Sequence, residues 1–206
     1  MINAVRLVEL GEALMREADT LTGTAAADWF RCGLTIAFLA YRPIRVANLA
    51  GLSLAEHLQK RDGRTWVHIP GPQVKNRMPL DFPWPDELTD ALDRYLTRER
   101  PVLLTGQPAT DRLWIIWEGR PLTAYCCRTQ IARITRERLG VRLTPHLFRD
   151  CVASTIAEHA PEHYGIIARI LGHQTLQTAY AHYIHTGTAR AARSHQAHIA
   201  ALRSDE

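Results

Sequence analysis

Apolar residues recur at helical spacing over positions 5–19, with Glu and Arg between them, and predict a short amphipathic helix. Positions 25–40 are apolar almost throughout and predict a second helix at the centre of the core, opened by Thr22-Gly23-Thr24 and stopped by Pro43. Positions 45–52 predict one or two further helical turns closed by Gly51. The pattern changes after Ser53. Short segments at 54–58, 65–69 and 73–80 are separated by Asp62-Gly63 and by Pro70-Gly71-Pro72, and predict a small antiparallel sheet of about three strands. Helical spacing then returns. Pro85-Asp86-Glu87 opens a helix running to about Arg100, Thr123 caps one that Gly140 ends, and Thr144-Pro145 opens the next. The run 113–117 (LWIIW) suits a buried strand or a wedge of core equally well. Further helices are predicted from Pro161-Glu162 to Gly172, over 175–185, and in an alanine-rich tail over 188–203 with spaced basic residues. The expected fold class is mainly α with a small antiparallel β-sheet, a single domain over 1–206 with a helical tail from about 188.

A chain of 206 residues buries roughly 70% of its unfolded surface, so its core needs neither disulfide nor metal. The formal charge of +4 permits a nucleic-acid partner without requiring one. The type of cation is more telling, because Lys60 and Lys75 are the only lysines among 25 basic residues. Arginine suits forked recognition of phosphate, although a GC-rich genome would give the same bias. Cys32, Cys126, Cys127 and Cys151 have no framework or zinc spacing and are expected as free, mostly buried thiols. No apolar run is long enough to span a bilayer and no signal-peptide pattern is seen. These observations lead us to expect a cytoplasmic, nucleoid-associated protein with no membrane partner.

Positions 143–185 carry the densest chemistry: His146 and Arg149 in a His-x-x-Arg, His173 ending a Leu-Gly-His, and Tyr183 opening a Tyr-Ile-His. The set suits a phosphodiester under attack by tyrosine. Negative charge gathers on the non-bridging oxygens as a fifth ligand arrives, and two arginines can clamp them with charge-assisted bonds. Arg45 and Arg149 are the candidates. A tyrosine has a pKa of about 10 and needs help in losing its proton, which neighbouring imidazoles supply. The leaving sugar oxygen needs a proton, and Lys75, in QVKNRMPL between prolines, is placed to give one.

With these motifs the chain resembles the catalytic domain of the tyrosine recombinases, the phage-integrase family. The resemblance covers nearly the whole sequence. It rests on Arg45 in RPIRVANLAGLSL, Lys75 in GPQVKNRMPLDFP, His146 and Arg149 in TPHLFRD, Leu171 to His173, and a tyrosine shortly after. Any one of these arises by chance, but five in order do not do so readily. The resemblance implies that Arg45, Arg149 and His173 hold the scissile phosphate and that His146 and His173 assist proton transfer. It further implies that Lys75 protonates the leaving 5′ oxygen and that Tyr183 forms a 3′-phosphotyrosyl link. It also implies a double-stranded DNA substrate, no cofactor and no catalytic metal. The implied assembly is a homotetramer on two DNA sites, the tail helix exchanged between subunits.

Three departures accompany it. Asn48 stands where many relatives have Glu. Tyr180 competes with Tyr183 as nucleophile, and the His-Tyr ending of AHYIH favours Tyr183. The DNA-clamping domain that usually precedes the catalytic domain is expected to be absent, as though the chain were a piece of a longer protein. Singly, Arg45 reads equally as a helix-end cap, Lys75 as a solvated side chain, and His146 and His173 as ordinary helix-terminal residues. A metal site at His159 and His163, or at His182 and His185, lacks a third ligand at a familiar spacing. Beside a recombinase stand two alternatives on the same scaffold, a catalytically silent DNA-binding regulator and a topoisomerase IB-like strand relaxer.

Overall fold

Asn3 accepts a hydrogen bond from the Val5 amide and so caps the first helix of the computed structural model, which describes residues 2–159. That helix, α1 (Ala4–Glu17), lays Leu7, Leu10 and Leu14 against α2 (Gly23–Tyr41), whose residues from Phe30 to Ala40 are all buried. The two helices meet backbone to backbone. A Cβ placed on Gly33 would lie 2.5 Å from the Gly11 carbonyl oxygen, and one on Gly11 2.6 Å from that of Gly33. Only hydrogen fits at either position.

Pro43 follows α2, and α3 (Val46–Ala50) begins directly after Arg45. The segment 54–58, expected as a strand, is instead a helical turn, α4 (Leu54–His57). Ser53 caps it by accepting from the Glu56 amide, and this local bond overrides the apolar pattern. The sheet therefore starts later: β1 (Leu58–Arg61), β2 (Arg64–Ile69) and β3 (Leu80–Pro83) pair antiparallel in the order β1-β2-β3. Residues 73–80 were also expected as a strand. They form a loop because Pro72 and Pro79 have no N–H to give a ladder, and pairing resumes at Leu80 opposite Ile69.

The helix expected to end near Arg100 continues to Leu104. It runs through a 3-10 turn, α5 (Thr89–Arg94), a π-helical turn (Tyr95–Glu99) and α6 (Arg100–Leu104). The Arg100 amide reaches back to the Tyr95 carbonyl, and this wider turn accommodates Pro101, which lacks a donor of its own. Residues 113–117 form no strand; isolated bridges (Ser53 with Arg112, Ile115 with Pro121) hold them as a wedge of core. Trp114 packs there beside Tyr95, Trp84 and Phe38, with ring centroids 5.5, 6.3 and 6.4 Å away. The Tyr95 hydroxyl donates to the Leu113 carbonyl at 3.0 Å. Finally α7 (Ala124–Leu139), capped by Thr123 and ended by Gly140 at φ +70°, precedes α8 (Pro145–His159).

One buried cation ties α2 to α7. Arg31 is fully buried, and its Nη2 donates to Asp28 at 2.6 Å and to Gln130 at 3.0 Å. Burial pushes the neighbouring Cys32 thiol up to about 11 and Cys127 to about 12, so both stay protonated at neutral pH. All four cysteines are free, as expected, and Cys126 alone is not fully buried. Among the described residues no helix is long and apolar enough to cross a membrane. The fold is thus mainly α with one small antiparallel sheet, as the sequence predicts. The expected helices beyond Pro161 lie outside the described residues.

Gly33→Ala would push backbone against backbone and lower stability by about 1–3 kcal/mol, seen as a lower midpoint in urea. Asp28→Ala would leave Arg31 buried with its bonds to Gln130 and the Cys32 sulfur but no carboxylate. Because the Asp28 side chain is 38% exposed, the expected loss is roughly 2–3 kcal/mol, short of the ~3–5 kcal/mol of a fully buried pair.

Candidate active site

Thr144 opens α8 by accepting from the Phe148 amide through its carbonyl, at 3.1 Å. His146 lies in the first turn, exposed, and Arg149 follows three residues on, so the two share one face near the helix N-terminus. Phe148, Cys151, Val152 and Ala153 form the buried side of the helix and fix its rotation. Its far end is tied to the start of α1, where the Ala4 amide donates to the Thr155 hydroxyl at 2.9 Å.

Arg149 is only 8% exposed, and its Nη1 donates to the Pro43 carbonyl at 2.7 Å. That carbonyl belongs to the two-residue approach to Arg45, whose extended backbone (φ −62°, ψ 139°) then starts α3. The bond therefore draws together two arginines far apart in sequence. Their proximity has an electrostatic signature. Burial, and then the charge of Arg45, push the Arg149 guanidinium down to about 10, with Asp150 opposing. Arg149 remains a cation at neutral pH, and the helix N-terminus adds its own partial positive charge. The arrangement is suited to an oxyanion that needs donors from two directions.

Arg45 is half-buried, and among the described residues its guanidinium has no ion-pair partner. Asn48 does not tether it: the side chain is buried and its Nδ2 has no hydrogen bond.

Lys75 is exposed, on the loop that joins β2 to β3. The loop beneath it is held firmly. Val74, next to Lys75, is buried at 2% exposure, its amide donates to Gly71 at 3.0 Å, and the Arg77 amide donates to Val74 at 2.8 Å. Gln73 contacts α4 twice: its Oε1 meets His57 Nε2 at 2.8 Å, and its Nε2 donates to Glu56. His57 and Gln73 were not among the residues expected at the site. The Ser53-x-x-Glu56 capping signal would have placed a helical turn there, though not its contact with the loop.

His173, Tyr183 and Tyr180 lie outside the described residues, as do His163, His182, His185 and the tail. Among the described residues no group of three or more His, Cys, Asp or Glu side chains could hold a metal. Trp84 and Trp114 are core, in keeping with a packing role, while Trp117 and Tyr125 are exposed.

Comparison with known proteins gives the scaffold its place. The tyrosine recombinase XerC of Pseudomonas fluorescens is 27% identical over 135 residues, 66% of this chain and 42% of that protein. XerC of Pseudomonas syringae pv. syringae (strain B728a) is 26% identical over 174 residues, 79% of this chain and 54% of its own length. The chain thus spans about half the length of the curated relatives it matches. Among solved structures, the XerH site-specific recombinase bound to palindromic difH substrate, a post-cleavage complex, superposes with a TM-score of 0.66 at 19% identity, over 90% of this chain and 50% of that one. The XerA recombinase gives 0.65 at 17% identity, over 92% and 63%. Both likenesses concern the fold. The phage integrase family model matches residues 11–190, nearly the whole sequence, and the chain belongs to that family.

Proposed function

We propose that residues 1–206 act as the catalytic domain of a site-specific DNA recombinase, cutting and rejoining strands through a covalent 3′-phosphotyrosyl intermediate. The observation that carries this reading is the Arg149–Pro43 bond, which brings a buried guanidinium beside the half-buried Arg45 at the start of a helix bearing His146. Family membership supplies the reaction such a cradle would serve.

The chemistry balances without a cofactor. The phenolic oxygen of Tyr183, or of Tyr180 as the alternative, attacks phosphorus and forms the new P–O bond. Its proton passes to an imidazole, His146 or His173. Arg45, Arg149 and His173 meet the charge gathering on the non-bridging oxygens. The P–O5′ bond breaks, and Lys75 gives the 5′ oxygen its proton. The reverse sequence with another strand's 5′ hydroxyl rejoins the DNA, and the ester preserves the bond energy between the two. Double-stranded DNA is the substrate. The working assembly is a homotetramer on two sites, in which the tail from about 188 to 206 docks on a neighbouring subunit.

Covalent capture on nicked suicide duplexes, drawn from a pool randomised around the nick, tests the reaction. The unaltered chain should give a denaturant-resistant DNA adduct, and Tyr183→Phe should give none. Loss in Tyr180→Phe alone would move the nucleophile. No adduct from the unaltered chain would overturn the reading in favour of a silent DNA-binding protein. Arg149→Lys keeps the charge and loses the fork, and should slow adduct formation about 100- to 1000-fold.

Affinity for duplex DNA should fall steeply with salt. The slope of log K against log[salt] should be about one unit shallower in Arg45→Ala, as measured by fluorescence anisotropy; equal slopes would remove Arg45 from the phosphate.

A further inference from the structure

We infer that His57 and Gln73 are positioning residues for Lys75, a clamp with His57 buried at its root that fixes the base of the β2–β3 loop so that the lysine is delivered to the leaving oxygen. The inference rests on the proposed role of Lys75 and concerns residues that the family motifs do not include.

The tautomer of His57 follows from its partners. The Ser53 amide can only donate, and it meets His57 Nδ1 at 2.9 Å, so Nδ1 is an acceptor and the ring hydrogen is on Nε2. Nε2 then donates to Gln73 Oε1 at 2.8 Å. The Gln73 amide is thereby oriented, with its Nε2 directed at Glu56. Ser53 is fixed in turn: its hydroxyl bonds Asp111 Oδ2, while Asp111 Oδ1 accepts from the Ala55 amide at 2.9 Å. A continuous chain of hydrogen bonds thus runs from Asp111 through Ser53 and His57 to Gln73, two residues before Lys75.

Burial makes this chain stiff. His57 is 3% exposed, and a polar ring so placed loses much by giving up either bond. On the far side of Lys75 the loop closes on itself: the Arg77 carbonyl lies against Gly71 so closely that no Cβ fits there, and Arg77 takes a left-handed backbone (φ +56°) to achieve it. Val74 enters the core and Gln73 is grasped by α4, so the lysine's long flexible stem springs from a fixed point. A proton donor gains from such placement, since misplacing a reacting group by about 1 Å costs on the order of 100-fold in rate.

Gln73→Met tests this, because the side chain is exposed and its replacement keeps length while removing both amide contacts. The DNA is a nicked duplex recovered by covalent capture with the unaltered chain. It is made in two forms, one with the natural scissile 5′ oxygen and one with sulfur in its place. A thiolate leaves without a proton, so the sulfur substrate bypasses any defect in proton delivery. Gln73→Met should cleave the oxygen strand about 10- to 100-fold more slowly and the sulfur strand at the unaltered rate, as should Lys75→Ala. Unaltered cleavage of the oxygen strand, or equal slowing on both strands, would overturn the positioning role. Failure of sulfur to rescue Lys75→Ala would instead overturn the assignment of Lys75. Hydrogen exchange then judges the clamp alone: the Val74 and Arg77 amides should exchange about 10-fold faster in Gln73→Met, and unaltered exchange would overturn it.

Discussion

Arg149 reaches out of α8 to the carbonyl of Pro43, and the site takes its shape from that bond. The carbonyl is available because α2 has just ended and the ring fixes the chain's direction as it leaves. A guanidinium meets it well, since it carries five N–H donors in a fixed planar fork. Arg45 begins its helical turn two residues after that carbonyl. Two parts of the chain more than a hundred residues apart are thereby set as one cationic cradle.

Such a bond holds its length only if both helices behind it are immobile. Bare glycine backbones let α1 and α2 approach closely, and the start of α1 is in turn bonded to Thr155 near the end of α8. On the other side, Phe38, Trp84, Trp114 and Tyr95 pack ring to ring and close α2 against the helix that follows the sheet. Rotation of α8 is resisted by Phe148 and Cys151, both nearly inaccessible to solvent.

Signals that act within a few residues are the ones the sequence discloses. Thr123 and Gly140 bound α7 as predicted, because a cap and a left-handed terminus are local properties. Apolar patterning misled at 54–58, where Ser53 and Glu56 close a helical turn, and at 73–80, where prolines leave no ladder to form. The bond from the Tyr95 hydroxyl to the Leu113 carbonyl joins residues 18 apart, a partner that no local pattern reveals. At the site, His146 and Arg149 are legible as a motif on one helical face. The burial of Arg149, its partner Pro43, and the grip of His57 on Gln73 arise from chain segments that meet only in the folded molecule. Asn48 is legible as a departure, and its buried, unbonded amide is the structural form that the departure takes.

The lowered proton affinity of Arg149 carries a thermodynamic meaning beyond its own titration. Folding places this cation out of water and near the like charge of Arg45, and the native state bears that repulsion. An anion between the two reverses its sign. Part of the free energy of binding is then relief of strain already present in the protein, and by linkage the fold gains in stability what the ligand gains in affinity. The proposed phosphodiester would bring the opposite charge to this pair, so DNA binding and folding stability would rise together.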